Sequence, residues 1–206
     1  SGARSGRRAG GAGNDELLGD SAADPEFALQ FDGVDDSVVL PGFSGLAGTD
    51  DATFEAWLEP GDARDMAVFD TRDDVGGNET GMMFGFRGDV ETGLFAVARI
   101  AGNGQAFEVV SAELGQEGTQ HFAVTFDRDG LMSLFVDGAA SGQPVNIAAL
   151  NGVDISNDEP LILGESNFDD DGFDLFLGTL AEARIRSVVG SAAEIADARD
   201  AILVGS

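Results

Sequence analysis

The stretch His121-Phe122-Ala123-Val124-Thr125-Phe126-Asp127-Arg128-Asp129-Gly130-Leu131-Met132-Ser133-Leu134-Phe135-Val136 decides the fold class. Residues 121–126 and 132–136 are short runs rich in β-branched and aromatic side chains, the composition that suits a pleated, packed surface. Asp127-Arg128-Asp129-Gly130 separates them and reads as a hairpin turn, with Gly130 able to take φ > 0. Working outward, the same pattern of short apolar runs between Gly, Asp and Asn turns recurs. Strands are expected over 27–31, 37–40, 53–58, 66–69, 82–87, 94–100, 107–112, 144–150, 161–163, 175–177 and 179–186. In 53–58, Phe54, Ala56 and Leu58 fall on one face and Thr53, Glu55 and Trp57 on the other. Ser191-Ala192-Ala193-Glu194 is a capping box, which predicts a helix from 192 to about 203. The expected class is therefore all-β, a two-sheet antiparallel sandwich with a short C-terminal helix.

Composition bounds the function. The chain has 206 residues with 11 basic and 38 acidic side chains, a formal charge of −27. Every basic residue is Arg. Such a surface repels phosphate backbones and anionic lipid, so nucleic acid and membrane surfaces are excluded as expected partners. The absence of Cys removes disulfides, thiolate metal sites and Cys nucleophiles, and a single His excludes a multi-histidine metal centre. No apolar run approaches the roughly 18–20 residues of a membrane span. The N-terminal stretch lacks the apolar core of a secretory signal, so the expectation is either an excised fragment or export without an N-terminal signal. What the charge favours is hydration of the surface, binding of hard cations such as Ca²⁺, or both.

Residues 1–26 stand apart as a Gly/Ala/Ser/Arg-rich linker or tail, followed by one domain over 27–206. Within the tail, Gly10-Gly11-Ala12-Gly13-Asn14-Asp15-Glu16-Leu17-Leu18 fits the calcium-binding nonapeptide G-G-x-G-x-D-x-U-x of RTX repeats at its fixed positions, with Asp15 as the oxygen ligand. One repeat does not complete a site, because the cation lies between stacked turns.

An ordered set of segments resembles the laminin-G-like, concanavalin A-like jelly-roll domains. The opening strand pair is similar to Ala28-Leu29-Gln30-Phe31-Asp32-Gly33-Val34-Asp35-Asp36-Ser37-Val38, and the next strand to Thr53-Phe54-Glu55-Ala56-Trp57-Leu58-Glu59-Pro60. The central hairpin resembles 121–138, and the closing strands resemble Leu161-Ile162-Leu163-Gly164 and Gly178-Thr179-Leu180-Ala181-Glu182-Ala183-Arg184-Ile185. With the RTX-type nonapeptide, the chain resembles a module of a large secreted bacterial RTX adhesin. That implies an extracellular or cell-surface location, type I secretion and further domains flanking this one.

Two acidic clusters are the candidate cation ligands. One comprises Asp73, Asp74, Asn78 and Glu79, with Asp70 beside it. The other is Glu165-Ser166-Asn167-Phe168-Asp169-Asp170-Asp171, whose adjacent carboxylates repel one another unless solvated or metal-bound. Neither has EF-hand spacing. The related pentraxin jelly rolls assemble a calcium-dependent ligand site from these two regions, so the resemblance implies Ca²⁺ held by Asp73, Asp74, Asn78, Glu79, Glu165, Asn167 and Asp169–Asp171. The closing-strand Asp common in the family is Ala181 here, which removes a charged ligand from a second family site. Asp32, Asp35 and Asp36 are read as shaping the first turn.

Catalytic readings find little support. The E-x-D-x-E spacing of glycosidases on this fold is absent, although Glu55, Trp57 and Glu59 share one strand face. Trp57 is the one candidate for stacking on a sugar, with core packing as the alternative, and His121 is read as a structural hydrogen-bonded residue. The expected function is a non-catalytic, calcium-dependent module that binds a glycan or a cell-surface protein. The competing expectations are a spacer domain without a ligand and a carbohydrate-active enzyme.

Overall fold

The computed structural model describes residues 28–42, 48–74, 77–89, 91–115, 118–168 and 172–203. Asp15 and the nonapeptide, and Asp169, Asp170 and Asp171, lie outside the described residues. The strands are β1 (Leu29–Asp32), β2 (Val38–Leu40), β3 (Ala52–Pro60), β4 (Met66–Asp70), β5 (Asp73–Asp74), β6 (Glu79–Asp89) and β7 (Gly93–Gly102). They continue with β8 (Gln105–Val110), β9 (Gln120–Phe126), β10 (Leu131–Val136), β11 (Ala139–Asn146), β12 (Leu161–Leu163), β13 (Asp174–Leu175) and β14 (Leu177–Arg186). A helix, α1 (Ala192–Leu203), follows.

Two sheets form. The first runs β1-β14-β3-β9-β10-β11, and the second runs β2-β12-β4-β6-β7-β8, with β13 on β4 and β5 on β6. Nearly all pairing is antiparallel; β13 on β4 is parallel. The alternation read in β3 sets the layers. Phe54, Ala56 and Leu58 point into the core with Phe122, Val124 and Phe126 of β9 and Met132 and Leu134 of β10. Facing them from the second sheet are Phe69, Phe84 and Phe86. Phe54 stacks on Phe69 with ring centroids 4.8 Å apart, and Phe86 meets Phe122 edge-on at 5.3 Å. Aromatic contacts of this kind add about 0.5–1.5 kcal/mol each beyond area burial. Phe84, Phe86, Phe122, Phe126 and Phe135 all read as sandwich core, but Phe135 lies on the outer face of the first sheet. There it packs with Ala123 beneath Ile195 of α1.

Two local readings are corrected. Gly130 does not have positive φ. The turn closes through Gly130 N–H donating to Asp127 O at 3.0 Å, and a Cβ on Gly130 would stand 2.5 Å from the Asp127 carboxylate. A side chain at 130 would therefore displace the Asp127 carboxylate, which is free to rotate, and neither φ nor backbone contact demands glycine there. Left-handed pairs, the conformation of a two-residue strand turn, close two other hairpins, at Asn103 (φ 51°) with Gly104 (φ 72°) and at Asp137 (φ 50°) with Gly138 (φ 75°). The strand expected over 144–150 is β11 over Ala139–Asn146, followed by a 3₁₀ turn at Ala148–Leu150.

Strand direction collects loops at one end. Ala52 pairs with Phe126 and Thr53 with Arg186, so residues 48–51, 127–130 and 187–190 are neighbours. Ile155 N–H donates to Gly48 O, and Gly102 abuts Ile155 and Val153, which brings the end of β7 and the β11–β12 connection to the same place. Gly81 pairs with Ala101, so the β5–β6 hairpin projects from this end as well.

Candidate functional site

The two acidic regions meet at the end of β4. Asp70 is fully buried, and Arg72, only 3% exposed, turns back onto it. Arg72 Nε donates to both Asp70 oxygens (3.0 and 3.1 Å), and Nη2 donates to Oδ2 at 2.7 Å. The loop after β12 closes over this pair. Ser166 Oγ donates to Asp70 Oδ2 at 3.1 Å, Asn167 N–H to the same oxygen at 3.2 Å, and Asn167 Nδ2 to Asp70 O and Pro160 O, each at 3.2 Å. Arg72 lies over the Phe168 ring at 4.8 Å, a cation–π contact. Asn157 Nδ2 ties the preceding segment to Thr71 O and Thr80 O.

A charge ladder leads away from this junction across the outer face of the second sheet. Arg72 Nη1 donates to Glu79 Oε1 at 3.2 Å, and Arg99 engages both Glu79 oxygens. Glu108 then links Arg99 to Arg87, which covers the Phe173 ring. Period-two alternation explains the ladder: Arg87 and Arg99 occupy outward positions of β6 and β7, and Glu108 is the register partner of Arg99 in β8. Burial works against the Glu79 carboxylate, but Arg99 and Arg72 outweigh it and hold its pKa below the ordinary value.

The candidate ligands are thus placed unequally. Glu79 faces two guanidiniums, and Asn167 directs its amide inward. Asp73 and Asp74 form β5 against Thr80 and Glu79, with Asp74 exposed and Asp74 Oδ1 accepting from Gly77 N–H at 2.7 Å. Asn78 is exposed in the same hairpin and Glu165 is half-buried beside Gly164. Among the described residues, the one group of three carboxylates with ligand oxygens within 4.8 Å of one another is Asp32, Asp35 and Asp36. These do shape the first turn: Asp32 Oδ1 accepts from Val34 N–H at 2.8 Å, and Asp36 Oδ2 from Asp32 N–H at 2.9 Å.

The outer face of the first sheet holds the other singled-out residues. Trp57 is 7% exposed, its ring 5.4 Å from that of His121. His121 is buried with Nε2 3.5 Å from Glu55 Oε2, and Glu55 Oε1 is engaged by Arg186. Burial opposes ionisation of Glu55, but the His121 and Arg186 contacts prevail and lower its pKa. Glu59, at the strand end, is exposed and accepts from Thr119 Oγ1 at 3.2 Å. Glu55 and Glu59 therefore stand in different environments with Trp57 packed between them.

Sequence reasoning missed the arginines. Arg72, Arg99 and Arg87 organise this face, and the available signal was their rarity: an Arg inside Asp70-Thr71-Arg72-Asp73-Asp74 is surrounded by the charges it must neutralise.

The chain matches the family model of the concanavalin A-like lectin/glucanases superfamily over residues 32–196. No curated protein matches it in sequence. Among solved structures, it is similar to the binding domain of botulinum neurotoxin DC in complex with rat synaptotagmin II, with a TM-score of 0.66 at 11% identity over 92% of this chain and 46% of that one. A structure described as showing that cell entry of botulinum neurotoxin type C depends on interaction with two ganglioside molecules gives 0.60 at 11% identity, over 92% and 45%. The heptameric SAP-like pentraxin of Limulus polyphemus gives 0.60 at 12% identity, over 82% and 79%. The chain spans less than half the length of the toxin binding domains. At these identities the likeness is one of fold.

Proposed function

The chain belongs to the concanavalin A-like lectin/glucanases superfamily, and from that premise we propose that it is a non-catalytic binding module whose ligand surface is the junction of the 70–79 and 165–171 loops. The observation that carries this reading is the closure of Ser166 and Asn167 onto Asp70 and Arg72, which joins segments 94–97 residues apart in the chain. The ligand class is a glycan or a cell-surface protein. The similar toxin domains, one complexed with synaptotagmin II and one described as ganglioside-dependent, support both possibilities.

Ca²⁺ has a place in this reading at the rim of the junction. Glu79 and Asn167 are engaged in building the surface, so Asp73, Asp74, Glu165 and Asp169–Asp171 are the residues that would hold the ion, with Asn78 adjoining. A bound cation would neutralise the carboxylates and offer open coordination positions to ligand hydroxyls. Asp15 belongs to the proposed RTX-type tail over 1–26, outside the domain over 27–206, and fits a secreted protein with further modules. Trp57 is assigned to packing against His121. Calorimetric titration of the full chain with Ca²⁺ tests the cation: saturable heat and a lower melting temperature in EDTA are expected. No heat and an unchanged melting temperature would remove calcium from the account. A spacer without a ligand is the second reading, favoured by the internal pairing of Glu79 with Arg72 and Arg99.

A further inference from the structure

A cavity of about 350 Å³ opens where β3 begins and β9 and β14 end. That size is at the low end of the roughly 300–1,000 Å³ typical of small-ligand clefts. Its polar wall carries Asp50, Asp51 and Asp129, and its apolar wall carries Val188 and Val189. The two valines are 51% and 37% exposed, so they present open aliphatic surface beside the carboxylates. Among the described lining residues the one cation, Arg128, is turned inward. It is 2% exposed, with Nη2 donating to Leu150 O and Val153 O and Nη1 to Gly48 O. Its backbone N–H fixes Asp51 at 2.8 Å. The apolar wall is fixed too: Thr53 Oγ1 donates to Val188 O at 2.7 Å and accepts from Gly190 N–H at 2.8 Å.

The rim is therefore negative, because three carboxylates face one guanidinium whose hydrogen bonds point into the protein. Two further carboxylates, Asp127 and Asp154, stand close. Burial, with Asp129 and Asp51 nearby, pushes the Asp127 carboxyl above its ordinary pKa, the response of a group that lacks a compensating positive charge. A bare metal ion would make no use of the valine wall, and a neutral ligand would make no use of the charge. We propose that this cavity takes a protonated Lys or Arg side chain of a protein partner. The cationic head would lie among Asp50, Asp51 and Asp129, and the aliphatic stem along Val188 and Val189. The site is independent of the calcium junction and lies at the same end of the sandwich, so one protein surface could reach both.

Amide NMR of the full chain titrated with Nα-acetyl-lysine methylamide tests this. Saturable shifts at residues 49–51, 129 and 187–189 are expected. The norleucine analogue, with the same stem and no charge, should produce at most weak shifts. The Asp50→Asn/Asp129→Asn variant should weaken binding about fivefold, the loss expected for two partly exposed ion pairs. If that variant fails to fold, the wild-type protein in 0.5 M NaCl should show a comparable loss by screening. The proposal is overturned by absent shifts, by shifts elsewhere, by equal shifts with the norleucine analogue, or by Ca²⁺ alone saturating the same amides.

Discussion

Removing the Arg72 guanidinium would leave Asp70, which has no solvent exposure, as an unpaired buried charge. Breaking such a pair from one side costs about 3–5 kcal/mol, so Arg72→Ala should lower stability by that order in chemical denaturation. Arg72→Met combined with Asp70→Asn should recover part of the loss; an Arg72→Ala variant as stable as the wild type would contradict the role given to the pair. Glu55 offers a pH test with a definite sign. Its folded pKa lies below the ordinary 4.5, so its contribution is present above that value and is lost as pH falls through the folded pKa. Asp70 and Asp127, raised by burial, act in the opposite sense, which makes the comparison with a variant the clean one. The stability gap between wild type and Glu55→Gln should be largest near pH 7 and shrink below about pH 4.5. A gap that is constant with pH would contradict it. At this scale the sequence could be read for types but not partners. Asp32, Asp35 and Asp36 were legible as turn formers because Asx turns are local. Glu79 was not legible as an arginine partner, because Arg99 is brought to it by strand register 20 residues away.

Among elements, α1 was readable from its start signal. Ser191 N–H donates to Glu194 Oε2 at 2.8 Å and Glu194 N–H to Ser191 Oγ at 3.3 Å, the reciprocal bonds of the capping box. The helix is held down by Ile195 over Ala123 and Phe135, and by Arg199 donating to Asp137 O at 3.0 Å. Ser191→Ala should cost about 1 kcal/mol, read as faster amide exchange in α1 while β3 and β9 keep their protection. Loss of protection throughout the sandwich would show instead that helix and sheets unfold together. The strands with alternating apolar residues, such as β3 and β9, were equally legible. β11 was not, since its side chains are all exposed or half-buried and carry no apolar alternation. It is a strand because β10 sets its register, and it tolerates Pro144 as the edge of its sheet. The bulge in β14, where Glu182 takes φ 49°, was hidden for a related reason: it answers to the pairing with β3, which shifts between Ala181 and Arg184.

For the whole molecule, the charge of −27 sets the response to salt. Self-repulsion among carboxylates destabilises the compact state and is screened by ions, so melting temperature should rise from 10 mM to 1 M NaCl. A fall would mean that the arginine ladder, weakened by salt, outweighs the repulsion. The architecture, a phenylalanine-filled antiparallel sandwich, followed from composition and alternation, whereas the junction of residues 70–72 with 166–168 depends on side-chain contacts between distant segments. A glycan array probed with the full chain in Ca²⁺ and in EDTA tests the proposed binding role most directly, with an Asp73→Asn/Asp74→Asn/Glu165→Gln variant alongside. A selective glycan signal in Ca²⁺ that disappears in EDTA and in the variant is expected. A signal that EDTA or the variant leaves intact would contradict calcium-dependent binding at the junction, and no signal under either condition would contradict a glycan ligand.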